Sequence, residues 1–334
     1  MRKELGILIL LALLCTVVAL LNPRFLSPAN LQNMARLVGI YGIFSVGLGI
    51  VIITGGIDLS VGSVFALQGV LLAMMLREWR WPWPLAALAA IAGTTALGAI
   101  HGFLITGVRL QPFVVTLCGL LFYRGLARFI AQDETKGFGA EGFETLRHLA
   151  VGSLGPVPMP FVAMVVIGAA MWVAMHRSVY GRYLFAAGRN EEATRYSGID
   201  TRRVISSAYV LCLALAGVSG ILLAFYTNSV SPSGHGSFYE LYGIAAAVLG
   251  GCSLRGGEGS IVGILIGTAL LQVLQNLVNL LGIPSSLNFA VMGAVILVGA
   301  ILDQVFASHR HKLWKELPVP EPVPTVHAQG SADA

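Results

Sequence analysis

MPFVAMVVIGAAMWVAMH (159–176), RSVYGRYLFAAGRNEEATRYSGIDTRR (177–203) and VISSAYVLCLALAGVSGILLAFY (204–226) follow one another without interruption. The outer two pieces are almost wholly apolar, and each is near the ~20 residues that cross a bilayer as a helix. The middle piece carries six arginines, two glutamates and an aspartate. Charge held between two spans belongs at a membrane surface. Asn190 can cap a first helical turn there, Glu191 and Glu192 suit its positive end, and Gly198 suits its stop. Glu191 precedes Arg195 by four, the favourable order on one helix face. These features predict a short surface helix over Asn190–Gly198. Composition leaves two readings open: a solvated connecting loop, or a docking element for a soluble partner.

The pattern of those flanking runs repeats along the chain. Of 334 residues, 56% are hydrophobic and 11% are charged, against about 25% charged in an average soluble domain. Mean hydropathy is +0.79. The apolar runs are continuous rather than alternating, which predicts spanning helices and argues against a β-barrel. Ten spans are predicted, at 5–21, 38–54, 59–76, 85–106, 111–130, 159–176, 204–226, 241–253, 260–281 and 288–303. The fold class expected is an all-α integral membrane bundle in which some helices are broken. The first run follows Met1-Arg-Lys and imitates a signal peptide. Without a small-x-small cleavage site after it, a retained span is expected.

Lys and Arg set the orientation. With an inside N-terminus, 13 of the 21 fall in inner pieces and 8 in outer ones. The excess predicts both termini, and 177–203, on the cytosolic side. The net charge of +5 follows from arginines placed beside spans, so no nucleic-acid partner is implied. Residues 1–305 read as one transmembrane domain. From 306 to 334 the basic HRHK and the proline-rich PVPEPVP predict a disordered cytosolic tail.

Few residues can carry chemistry. Cys15, Cys118, Cys212 and Cys252 are scattered without metal-ligand or redox spacing, and no cofactor or metal is implied. GGIDLSVGS (55–63) places Asp58 beside a span, where an ionisable group suggests function. Asp58 or Ser60 capping the third span is the structural alternative. Gly55 and Gly56 permit a tight turn or a close helix contact. TGGIDLSVG (54–62) and LGGCSLRGG (249–257) each end one apolar run and precede another, as duplicated, interrupted halves do in transporters. The second has the glycine spacing of a phosphate loop but continues with Gly257 and Glu258 where Lys and Ser/Thr are required. If ATP drives this protein, another chain binds it. Gln272, Gln275, Asn276 and Asn279 share one side of the ninth span, as helix glue or as the lining of a polar path. Arg124 and Arg128 could meet an acidic partner outside, or snorkel. His101 reads as a lone core histidine and His235 as a loop residue. No hydrolytic triad or carboxylate pair is present.

GGIDLSVGS (55–63), GRYLFAAGRNEEATRYSGI (181–199), AVLGGCSLRGGEGSIVG (247–263) and LNFAVMGAVILVGAILD (287–303) together resemble the permease subunits of bacterial ABC sugar importers of the ribose type. The resemblance spans roughly 5–305 in the expected order. It implies a pair of permeases (homo- or heterodimeric) in the inner membrane, a periplasmic sugar-binding protein and cytosolic ABC ATPase subunits. It also implies that 181–199 is the segment docking on the ATPase, with Gly188, Asn190, Glu191, Glu192, Ala193, Arg195 and Gly198 as its working residues. The rival expectation is a secondary transporter driven by an ion gradient. That class needs ionisable residues at mid-span, and these spans read as nearly free of acids.

Overall fold

A computed structural model describes residues 2–139, 142–283, 287, 290, 293, 294 and 297. Most of the predicted tenth span and all of the tail at 306–334 lie outside these. The described helices are α1 (Arg2–Leu21), α2 (Pro28–Ile53), α3 (Val61–Arg77), α4 (Trp83–Thr106), α5 (Pro112–Ala131), α6 (Glu144–Val151), α7 (Met159–His176), α8 (Val179–Arg189), α9 (Glu191–Tyr196), α10 (Thr201–Thr227), α11 (Tyr239–Leu249) and α12 (Ile261–Leu280). Seven of them, α1, α2, α4, α5, α7, α10 and α12, are long and apolar enough to cross a membrane. The protein is an all-α integral membrane protein.

Short helices lie at the third and eighth predicted spans. The helices found there, α3 with 17 residues and α11 with 11, are apolar but short. Each is continued by non-helical chain, so they are parts of broken segments.

Local sequence explains where helices start. Ser27, Ser178, Asp200 and Ser260 cap α2, α8, α10 and α12, accepting from the N–H of Asn30, Gly181, Arg203 and Gly263. Prolines open α2, α4, α5 and α7, where a missing N–H costs nothing. Packing then follows membrane rules. In lipid there is little hydrophobic drive between helices, so small residues and close backbones take over. α2 and α10 form the buried centre: α10 lies against α4, α2 and α3, while α2 also meets α7, α11 and α12. Gly47 faces the Cys212 backbone, and Gly98 and Gly102 face the α10 backbone at Tyr209–Val210 and Ser206. α1 is peripheral and rests on α12.

Three non-helical stretches interrupt this bundle. Residues 54–60 and 250–260 leave helices at the end that carries α8 and α9. Residues 228–238 start from the opposite end, where Ser229–Val230 pairs with Lys136–Gly137. This third stretch runs back along α3, from Val230 beside Gly69 to Gly236 beside Gly62. Seven residues of helix correspond to about 10 Å of descent.

Candidate functional site

The charged stretch 177–203 folds into two helices rather than one. α8 precedes the predicted surface helix, and its apolar residues are spaced to face the bundle. Leu184 and Ala187 are buried, and the Tyr180 hydroxyl bonds Ser207 on α10 at 2.8 Å. α9 is the expected surface helix. Asn190 caps it, accepting from Ala193 N–H at 2.9 Å, and Gly198 follows it at φ +83°. Glu191 does not pair with Arg195. It accepts from the Thr201 hydroxyl at 3.2 Å, tying α9 to the first turn of α10. Arg195 lies 5.8 Å over the Tyr196 ring. Glu192, Ala193 and Arg195 are exposed. Tyr196 is 79% exposed, an aromatic ring left outside the apolar bundle that sequence reasoning passed over.

Gly188, near the end of α8, sits where two breaks meet. The Gly257 N–H donates to the Ile53 carbonyl at 2.8 Å, joining the stretch 250–260 to the end of α2. A Cβ on Gly188 would overlap that carbonyl and come 2.7 Å from the Gly257 nitrogen. The two glycine-rich stretches that looked like a repeat therefore touch each other, with α8 wedged against both.

A cavity of about 510 Å³ opens beside this junction, lined by Gly55, Gly56, Arg109, Glu191, Arg195 and Tyr209 among others. It brings residues expected of a path and residues expected of a docking helix into one place. Gly56 lies under the Tyr209 hydroxyl, where a side chain would collide. That hydroxyl is buried and has no hydrogen-bond partner among the described residues.

Deeper in, the break 54–60 carries Asp58, which is fully buried. The capping expectation fails in detail. Asp58 Oδ1 accepts from the N–H and hydroxyl of Ser60, at 2.8 and 2.6 Å, fixing the turn before α3. Ser60 occupies the N-cap position but makes no side-chain cap bond. Asp58 Oδ2 faces His101 Nδ1 at 3.6 Å, and His101 Nε2 meets the Tyr123 hydroxyl at 2.8 Å. His101 is not alone: it joins an Asp–His–Tyr chain across 54–60, α4 and α5. Glu240, at the start of α11, is also buried, with its carboxylate against Gly62. Both acids lie outside the seven long helices, Asp58 in a break and Glu240 in the first turn of α11.

Arg124 is turned into the fold rather than outward, which corrects its expected place on an outer docking surface. Its guanidinium donates to the carbonyls of Pro232 (3.1 Å), His235 (2.8 Å) and Gly62 (3.1 Å). A buried carbonyl left without a donor costs about 1–3 kcal/mol. Arg128 stays at the surface, forked onto Asp133 at 2.7 and 3.0 Å. The hydrogen bond from Arg128 holds the Asp133 carboxyl below its ordinary value. On α12, Asn276 and Asn30 exchange amide bonds at 2.8 and 3.1 Å, and Gln275 reaches the Tyr242 hydroxyl at 3.5 Å. Gln272 is buried and Asn279 exposed. The bonds made by Gln275 and Asn276 go to α11 and α2, not to the break at Asp58.

Comparison with known proteins follows this geometry. Residues 30–300 match the family described as branched-chain amino acid transport system, permease component. The chain is 39% identical over 304 residues to the ribose import permease protein RbsC of Bacillus subtilis (strain 168), covering 90% of this chain and 93% of that protein. It is 38% identical over 297 residues to RbsC of Escherichia coli (strain K12), covering 89% and 92%. It is 28% identical over 303 residues to the D-allose transport system permease protein AlsC of the same strain, covering 90% and 92%. No solved structure matches.

Proposed function

The chain belongs to the family of branched-chain amino acid transport system permease components, and from that premise we propose that it is the membrane-spanning subunit of an ATP-driven importer of a monosaccharide. The sugar reading draws on relatives whose names specify ribose and allose import. In this reading a periplasmic binding protein delivers the solute to the outer face, where Arg128 is a contact. A second permease copy completes the path, and separate ATPase subunits dock on α9. The protein sits in the bacterial inner membrane with both termini inside, in keeping with 13 of 21 Lys and Arg on the α9 side.

The observation that carries the coupling role is the wedge at Gly188. A solute moves uphill only if ATP favours one packing of the spans over another. α9 is exposed and polar, with Tyr196 as an amphipathic anchor of the kind enriched at interfaces. α8 connects it rigidly to both glycine breaks, so a push on α9 reaches the ends of α2 and α11 at once. Glu191, Glu192 and Arg195 set the register of docking by charge. Asn190 and Gly198 fix the length of the helix, while Gly55, Gly56, Asp58 and Ser60 form the break that moves. Gln272, Gln275, Asn276 and Asn279 hold α12 in the bundle beside that path.

Glu191→Lys is the test. It reverses one exposed charge and leaves the wedge intact. Uptake of labelled ribose and transport-linked ATP hydrolysis should fall at least tenfold, with the protein still in the membrane at wild-type level. Uptake unchanged by this variant would remove α9 as the docking element. The buried Asp58 and Glu240 are the observation that favours an ion-driven carrier instead, and the family match outweighs it.

A further inference from the structure

We propose that Arg124 is a positioning residue, a tie that makes the breaks 54–60 and 228–238 move as one when α8 is displaced. The proposal rests on the importer reading above.

The two breaks approach from opposite ends of the bundle and meet at a single point. A Cβ on Gly236 would come 2.7 Å from the Gly62 carbonyl oxygen. Among the described residues, no backbone–backbone hydrogen bond joins the two breaks at this point. The carbonyl of Gly62 belongs to the first turn of α3, and those of Pro232 and His235 belong to the third break. One guanidinium reaches all three. Nη1 holds the two carbonyls of 228–238, and Nη2 holds Gly62. The planar fork suits this task, because its donors point in fixed and different directions. Glu240 is the opposite charge acting on Arg124, and its carboxylate lies against the same Gly62. Arg124 thus stands on α5 with all three broken-segment carbonyls on one side chain and its counter-charge on α11.

The consequence is mechanical. The far end of break 54–60 begins at Ile53, whose carbonyl accepts from Gly257 beside Gly188. Movement at that end travels through Asp58 and Ser60 to Gly62. Arg124 is the side chain that takes the movement on into break 228–238 itself, because the other polar link at Gly62 is its backbone hydrogen bond to the Glu240 carboxylate, beyond the end of that break. Carbonyls away from water stay paired where they can, so the fork keeps both tips together through the displacement.

The experiment uses the full complex of this chain with its ATPase subunits and binding protein in proteoliposomes. Arg124→Lys keeps the charge and loses the fork. Arg124→Gln keeps a donor amide and loses the charge. Both should assemble, lower ribose uptake per ATP hydrolysed at least tenfold, and raise ATP hydrolysis in the absence of binding protein severalfold. A merely structural defect lowers uptake and hydrolysis in proportion, and that proportional loss would overturn the tie, as would wild-type behaviour. A second measurement needs no variant. Hydrogen exchange in segments 54–62 and 228–238 of the wild-type complex should change together between the nucleotide-free and the vanadate-trapped states. A change confined to one segment, or none in either, would also overturn it. A wild-type complex without ATP-dependent uptake would sink the importer reading itself, which separates that failure from failure of the tie.

Discussion

At Gly188 a single added carbon would overlap the Ile53 carbonyl oxygen and crowd the Gly257 nitrogen. Neither neighbour is a flexible side chain, so the end of α8 must shift. Overpacking of this kind costs about 1–3 kcal/mol. Gly188→Ala is therefore expected to lower thermal stability of the purified protein by about that amount and to reduce uptake by more than the lost folded fraction explains. Wild-type stability in Gly188→Ala would mean that α8 does not press on the breaks. The family resemblance named Gly188 among the docking residues, on a motif visible in a string of letters. What it presses on is not, because Ile53 and Gly257 lie far from it in the chain. Arg124 failed for the same reason. Its four-residue spacing from Arg128 looked like a surface pair, yet its partners are backbone carbonyls 62 to 111 residues away. Glu240, inside the sequence Tyr239-Glu-Leu-Tyr242, offered no cue either, since its burial depends on Gly62.

Elements bounded by local chemistry were the legible ones. The start of α9 follows from Asn190, whose side chain meets the Ala193 N–H. Asn190→Ala removes a cap worth about 1 kcal/mol, so amide exchange at Ala193 should quicken about fivefold while the amides of α10 stay unchanged. Equal exchange in variant and wild type would show that contacts with α10, such as Glu191 to Thr201, set the helix and not its cap. Apolar length located the long helices to within a few residues, because a membrane span must be continuous to satisfy its own backbone, except that α2 begins at Pro28, well before the predicted start at 38. Broken segments escape that logic. In 228–238 only His235 was read, as a loop residue, whereas carbonyls of this stretch are bound by Arg124 and its first strand pairs with Lys136–Gly137. α3 and α11 lie within a few residues of the predicted third and eighth spans, and both are short. Gly55, Gly56 and Gly250, Gly251 marked both places, and the two stretches do meet.

Across the whole molecule, the broken segments form a continuous connection. α9 stands outside the bundle, α8 wedges against the ends of α2 and the stretch 250–260, break 54–60 leads inward past Asp58, and Arg124 hands on to break 228–238 from the opposite end. A cavity of about 510 Å³ opens at the α9 end and reaches Tyr209. An arrangement in which two breaks enter from opposite ends and touch at their tips suits alternating access, because opening one side displaces the element that closes the other. The same interior holds Asp58, His101 and Glu240, so the source of energy is the point to test. Labelled ribose uptake into proteoliposomes containing this chain, its ATPase subunits and its binding protein is the direct measurement. Uptake is expected to require ATP on the α9 side and to continue when a protonophore collapses the proton gradient. Uptake that persists without ATP and stops on adding the protonophore would contradict an ATP-driven importer.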